Sequence, residues 1–93
     1  MIRSFRDRET ETIWDGERSR RLPGDIHEPA LRKLRLINRA RRLDDLRLPP
    51  GNRLEALTGD RQGQHSIRIN RQWRICFRWE DGFCDDVEIC DYH

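Results

Sequence analysis

The sequence predicts an α+β domain, two helices packed on a curved and mostly antiparallel sheet, spanning residues 1–93 as one unit. Three observations carry this. Apolar residues recur at helical spacing up to about residue 48, they recur at every second position beyond it, and Pro49-Pro50-Gly51 marks the change between the two periods. A chain of 93 residues is of the size of one domain. With 39% charged and 34% hydrophobic residues the core must be small, and three Trp and three Phe supply much of its volume.

In chain order, Ile2 to Phe5 reads as a short opening strand and Arg8 to Trp14 as a short helix stopped by Asp15-Gly16. For the second helix, Asp25 is the expected N-cap, with Glu28 three residues on as in a capping box and Pro29 in the first turn. Ala30, Leu31, Leu34, Leu36 and Ile37 give it an apolar stripe, flanked by Arg32, Arg35, Arg39, Arg41 and Arg42. Beyond the prolines, Leu54 and Leu57 bracket one strand and Ile67 and Ile69 alternate in a second. Trp73, Ile75, Phe77 and Trp79 line one face of a third, with Arg74, Cys76 and Arg78 on the other. Glu80-Asp81-Gly82 is a hairpin turn into a last strand whose apolar positions are Phe83, Val87 and Ile89.

The net charge of +2 conceals an asymmetry. Residues 1–80 carry 19 basic and 12 acidic side chains, and residues 81–93 carry none and 5. All the basic residues but Lys33 are arginine, whose planar fork suits bidentate phosphate contacts and stacking on bases. That balance favours a nucleic-acid partner over a small neutral ligand; a merely solvated arginine surface is the alternative. Three cysteines, an odd number, and an opening without an apolar run point to a reducing cytoplasm, and no stretch is apolar enough to span a membrane. No C-x-x-C or comparable spacing exists, so neither a metal site nor another cofactor is expected.

Cutting RNA without metal requires a base for the 2′-hydroxyl, a cation for the phosphorane and an acid for the departing 5′-oxygen. The strand half offers one candidate for each: Glu55 as base, Arg74 as phosphate clamp and His93 as acid. A histidine suits the acid role because its ordinary pKa of about 6.5 lies near working pH. Tyr92, beside it, is placed to stack on a base. Each has a plainer reading as well: Glu55 facing solvent, Arg74 paired with Asp91 or Glu88, His93 a frayed terminus.

The segment from Leu57 to Phe77 carries the pattern L-x-G-x-R-x-G-x-x-S-I-R-x-N-x-x-W-R-I-x-F. Together with the opening Met1-Ile2-Arg3-Ser4-Phe5 and the closing Asp91-Tyr92-His93, it closely resembles the HigB toxins of the RelE-like superfamily of bacterial toxin-antitoxin systems. The resemblance covers essentially the whole chain. It implies a RelE-like fold, cleavage of mRNA in the ribosomal A site, and inhibition by a helix-turn-helix antitoxin of HigA type, with operator DNA contacted only through the antitoxin. It also implies Arg74, Asp91, Tyr92 and His93 as site residues. Some relatives place a histidine and a lysine where this chain has Glu55 and Thr58. A related branch pairs a glutamate with an arginine and a C-terminal histidine, and Glu55, Arg74 and His93 resemble that trio. Arg61 and Arg68 are the expected contacts to RNA phosphates. Two rivals stay open: a binding module that blocks the ribosome without cutting, and a co-repressor acting with its antitoxin.

Overall fold

The structure, a computed structural model, describes residues 1–91, so Tyr92 and His93 lie outside the described residues. Helices α1 (Arg8–Trp14) and α2 (Gly24–Arg39) precede strands β1 (Glu55–Ala56), β2 (His65–Arg68), β3 (Trp73–Glu80) and β4 (Phe83–Asp91). The four strands form one sheet in the order β1-β2-β3-β4, every pair antiparallel. Short 3-10 turns at Leu43–Arg47, Pro50–Asn52 and Gly59–Arg61 fill the connections.

The expected apolar stripe of α2 is buried at Ala30, Leu34 and Ile37, joined by Ile26 one turn earlier, while Leu31 and Leu36 are partly covered. These side chains meet Ile67, Ile75, Phe77 and Val87 from one face of the sheet, and Ile13 of α1 completes the layer. Thr10, fully buried, ties α1 to β4 by accepting a bond from the Ile89 N–H at 2.9 Å.

Three sequence expectations need correction. The capping box at Asp25 does not form. Pro23 takes the N-cap position and its carbonyl accepts the Ile26 N–H at 3.2 Å, so Asp25 lies inside the first turn and Pro29 falls in the second. The opening strand becomes two isolated parallel bridges, Ile2 to Cys84 and Phe5 to Val87, beside β4. They are separated because β4 bulges between them. Asp86 adopts a left-handed φ of 53°, its N–H is taken by the Ser4 hydroxyl at 2.9 Å, and the β3–β4 register shifts between Cys76 and Arg78. The same bulge overturns the third expectation. An extra residue inverts the alternation of β4, so Cys84 points into the core with Val87 and Ile89. Phe83 turns outward, where the Arg3 guanidinium stacks over its ring at 4.7 Å.

Candidate active site

The face of the sheet turned away from the helices is where the chemistry-bearing residues gather. Register places Glu55 opposite Ser66, Ser66 opposite Cys76, and Cys76 opposite Glu88 in one row across the four strands. The next row on the same face is Arg68, Arg74 and Cys90. β1 is only two residues long, so Glu55 lies at the sheet edge and its side chain is 47% exposed.

Arg74 is the opposite case, a cation only 8% exposed. Its Nε donates to the Ser66 hydroxyl at 2.8 Å, and its Nη2 donates to the Arg53 carbonyl at 2.6 Å and the Ser66 carbonyl at 3.3 Å. Glu55 Oε1 approaches Nε at 3.5 Å. Burial of a charge is costly unless neighbouring acceptors replace water, and these oxygens do so. Arg53 presents its carbonyl from a left-handed backbone, φ 46° and ψ 56°, just after the 3-10 turn that Pro49-Pro50-Gly51 initiates. A non-glycine residue there costs about 1 kcal/mol, and the charge-assisted bond from Arg74 offsets that cost.

Arg74 is therefore paired with Glu55, not with Glu88 as in the plainer reading. Glu88 instead takes Arg61 at 2.8 Å, with Arg6 at 3.7 Å. Asp91 accepts a bond from Gln72 at 3.1 Å and lies opposite Trp73, so strand alternation sets it on the other face from Arg74. Arg61 is also joined to Gln64 at 3.1 Å and pins the 3-10 turn Gly59–Arg61 to the sheet. Burial lowers the affinity of its guanidinium for a proton, but the Glu88 carboxylate together with the neighbouring Cys90 and Cys76 outweighs this and the pKa is raised. Arg68 stands directly across from Arg74 and donates to the Asn70 carbonyl at 3.0 Å. Two arginines paired on one face of the sheet concentrate positive charge there, which makes the face favourable to an anion.

Sequence reasoning singled out Arg74 and Glu55 but missed what holds them. Ser66 is fully buried, and its spacing of two from Arg68 is the signal in the sequence that sets it on the same face. The carbonyl of Arg53 has no side-chain signature at all. The burial of this face was missed as well. Leu57, Cys76 and Cys90 make a second small cluster beneath the Gly59–Arg61 turn. The Cys90 thiol donates to the Glu88 carboxylate at 3.2 Å; its proximity lowers the Cys76 pKa, with Arg61 and Arg74 adding to the effect against burial, and the Cys90 pKa is raised in turn by Cys76 and by burial. Among the described residues no three His, Cys, Asp or Glu side chains gather as metal ligands would. Among the described residues no helix is long and apolar enough to cross a membrane.

Across residues 3–93 the chain matches the family described as "RelE-like toxin of type II toxin-antitoxin system HigB". It is 42% identical over 83 residues to Toxin HigB-1 of Vibrio cholerae, covering 88% of this chain and 87% of that protein. With Endoribonuclease HigB of Proteus vulgaris it shares 27% identity over 93 residues, the full length of both. In fold it is similar to a chain of a YoeB-YefM complex from Staphylococcus aureus, with a TM-score of 0.62 at 16% identity, covering 100% of this chain and 98% of the other.

Proposed function

Given that this chain belongs to the HigB-like family of RelE-like toxins of type II toxin-antitoxin systems, we propose that residues 1–93 act as a single toxin domain that cleaves mRNA without metal or cofactor. The observation that supports this most is the pairing of a half-exposed carboxylate, Glu55, with a buried and preorganised cation, Arg74, on a face opposed by Arg68. In the proposed reaction Glu55 takes the proton from the 2′-hydroxyl. The freed oxygen attacks phosphorus while Arg74, already oriented by Ser66 and Arg53, stabilises the charge that develops on the phosphorane. His93 protonates the 5′-oxygen as it leaves, Tyr92 stacks on the adjacent base, and Asp91, next to them in sequence, is a further residue of the site. Arg61 and Arg68 contact neighbouring phosphates.

The name of the Proteus vulgaris relative, an endoribonuclease, favours the same activity. Binding in the ribosomal A site, inhibition by a helix-turn-helix antitoxin of HigA type, contact with operator DNA only through that antitoxin, and action in the cytoplasm complete the proposal. A second reading, a ribosome binder that does not cut, draws on the Arg74 fork, whose Nε and Nη2 are both engaged within the protein. Primer extension on translated mRNA separates the two, because only cleavage creates new ends. Cleavage by 2′-hydroxyl attack leaves 5′-hydroxyl downstream fragments and 2′,3′-cyclic or 3′-phosphate upstream ones. Fragments with 5′-phosphate and 3′-hydroxyl ends would overturn the mechanism.

A further inference from the structure

The connection from α2 to β1 ends on two residues that the proposed reaction uses. Arg53 lends its carbonyl to Arg74, and Glu55 follows two residues later in a strand only two residues long. Downstream, that segment is held by the ladder to β2 and by the Leu57 N–H, which donates to the Gln64 carbonyl at 2.9 Å. Upstream, its anchor is Asn52, a polar side chain that is completely buried. The Asn52 side-chain nitrogen donates to the carbonyls of Leu46 and Leu48, each at 3.2 Å, at the end of the preceding 3-10 turn. Its side-chain oxygen accepts from the Lys33 ammonium, which reaches in from α2.

Carbonyls only accept and an ammonium only donates, so this position needs two donors and one acceptor on a single planar group. Only the side-chain amides carry both; aspartate lacks the donors, and glutamine is longer by a methylene. Lys33 is a costly partner for it. Loss of water and then the field of Arg32 lower the Lys33 pKa, and among the described residues no carboxylate lies within 4 Å of its ammonium. An apolar residue would pack against α2 without that cost, so the bond is better explained by the geometry it fixes than by stability. What it fixes is the next residue. Directly after Asn52 the backbone of Arg53 turns left-handed, φ 46°, with its N–H bonded to the Pro50 carbonyl at 3.1 Å. The Arg53 carbonyl then meets Arg74 Nη2 at 2.6 Å.

We propose that Asn52, held by Lys33, is a positioning residue for the cleavage reaction. It sets where the Arg53 carbonyl stands, and through that carbonyl it aligns the Arg74 guanidinium with the Glu55 carboxylate. Being fully buried, Asn52 itself touches no RNA. Its part in catalysis rests on the ribonuclease reading above; its hold on Arg74 rests on the bonds alone. A displacement of about 1 Å at a reacting group can cost roughly 10²-fold in rate. Arg61 and Arg68, the proposed phosphate contacts, are not bonded to this network, so the loss falls on the maximal rate and spares RNA binding.

Two variants of the full chain test this, each checked for folding by circular dichroism. Asn52→Asp keeps the size and the Lys33 partner but turns a carboxylate towards the Leu46 and Leu48 carbonyls. Lys33→Met keeps the stem and removes the donor at a partly exposed site, so the fold survives there even if it fails in the first. Arg35→Met, which removes an exposed charge from the same helix, is the control. The direct readout is NMR of guanidinium N–H protons in isotope-labelled protein, with the Arg74 signals identified by their loss in Arg74→Lys. Exchange of the Nη2 protons with water speeds up ~10-fold or more in both variants and not in the control, while the Nε proton on Ser66 changes less. In single-turnover cleavage of ribosome-bound mRNA the maximal rate of both variants falls by ~10 to 10², with the half-saturating concentration unchanged. Parental Nη2 exchange in either folded variant would overturn the proposal, and so would a loss of cleavage confined to the half-saturating concentration. Equal acceleration in Arg35→Met would overturn it too, by tracing the effect to the charge of the helix. A parent that does not cleave tells against the ribonuclease reading alone, and the exchange measurement still decides whether Asn52 holds Arg74.

Discussion

Replacing Arg74 with lysine keeps the charge and removes the fork. In the structure, one planar group reaches the Ser66 hydroxyl at 2.8 Å through Nε and the Arg53 carbonyl at 2.6 Å through Nη2. A lysine ammonium is a compact donor on a flexible stem and cannot reproduce both directions at once. At least one bond from a charged donor is lost, worth about 1.5–3 kcal/mol, and its acceptor is left buried. At this chain length 1 kcal/mol moves the melting temperature by roughly 4–8 °C, so Arg74→Lys should melt about 10 °C lower. Below that transition the protein remains folded, and the ammonium is no longer held where charge develops. Single-turnover cleavage should therefore fall by ~10² to 10³, the scale of losing a preorganised donor. The assay is cleavage of ribosome-bound mRNA at a temperature where circular dichroism shows both proteins folded, with a thermal melt of each. A variant that melts and cuts like the parent would refute the argument, because charge alone would then suffice and the Ser66–Arg53 cradle would be irrelevant.

Glu55→Gln removes the proposed base from a half-exposed edge position, so the melting temperature should hold while cleavage drops ~10² or more; a parental rate would exclude Glu55 as the base. Deleting only His93 should lower the single-turnover rate by ~10² with the fold intact by circular dichroism, and a folded deletion that cuts normally would dismiss His93 as the acid. Burial raises the Cys84 pKa from 9.0 to about 11, so the folded state favours the neutral thiol. The stabilisation this supplies is present below 9.0 and is lost as pH rises towards about 11. Urea midpoints across that range should fall less steeply in Cys84→Ala than in the parent. Equal slopes would assign the alkaline loss to other groups.

Much of this molecule was written in its linear pattern. The 3.6-residue spacing of Ala30, Leu34 and Ile37 and the alternation of Ile75 and Phe77 determined both elements and their buried faces, because burial of apolar area is scored one residue at a time along a regular backbone. The motif from Leu57 to Phe77 likewise pointed to the family, and residue chemistry together with that resemblance singled out Arg74 and Glu55.

What only the tertiary structure decided lies where the regular backbone is interrupted or where a partner comes from far along the chain. The bulge at Asp86 inverts the faces of β4, and it depends on Ser4, 82 residues away. Arg74 is held by a hydroxyl on the neighbouring strand and by the carbonyl of a left-handed arginine 21 residues earlier. Carbonyls are identical at every position of a sequence, so their selection as ligands is visible only after folding has chosen which of them face a buried cation. The second cluster of Leu57, Cys76 and Cys90 follows the same rule. Alternation predicted that Arg74, Cys76 and Arg78 share a face, but only the packing of the Gly59–Arg61 turn, locked down by the Arg61–Glu88 pair, decided that this face is covered around Cys76 and open at Glu55.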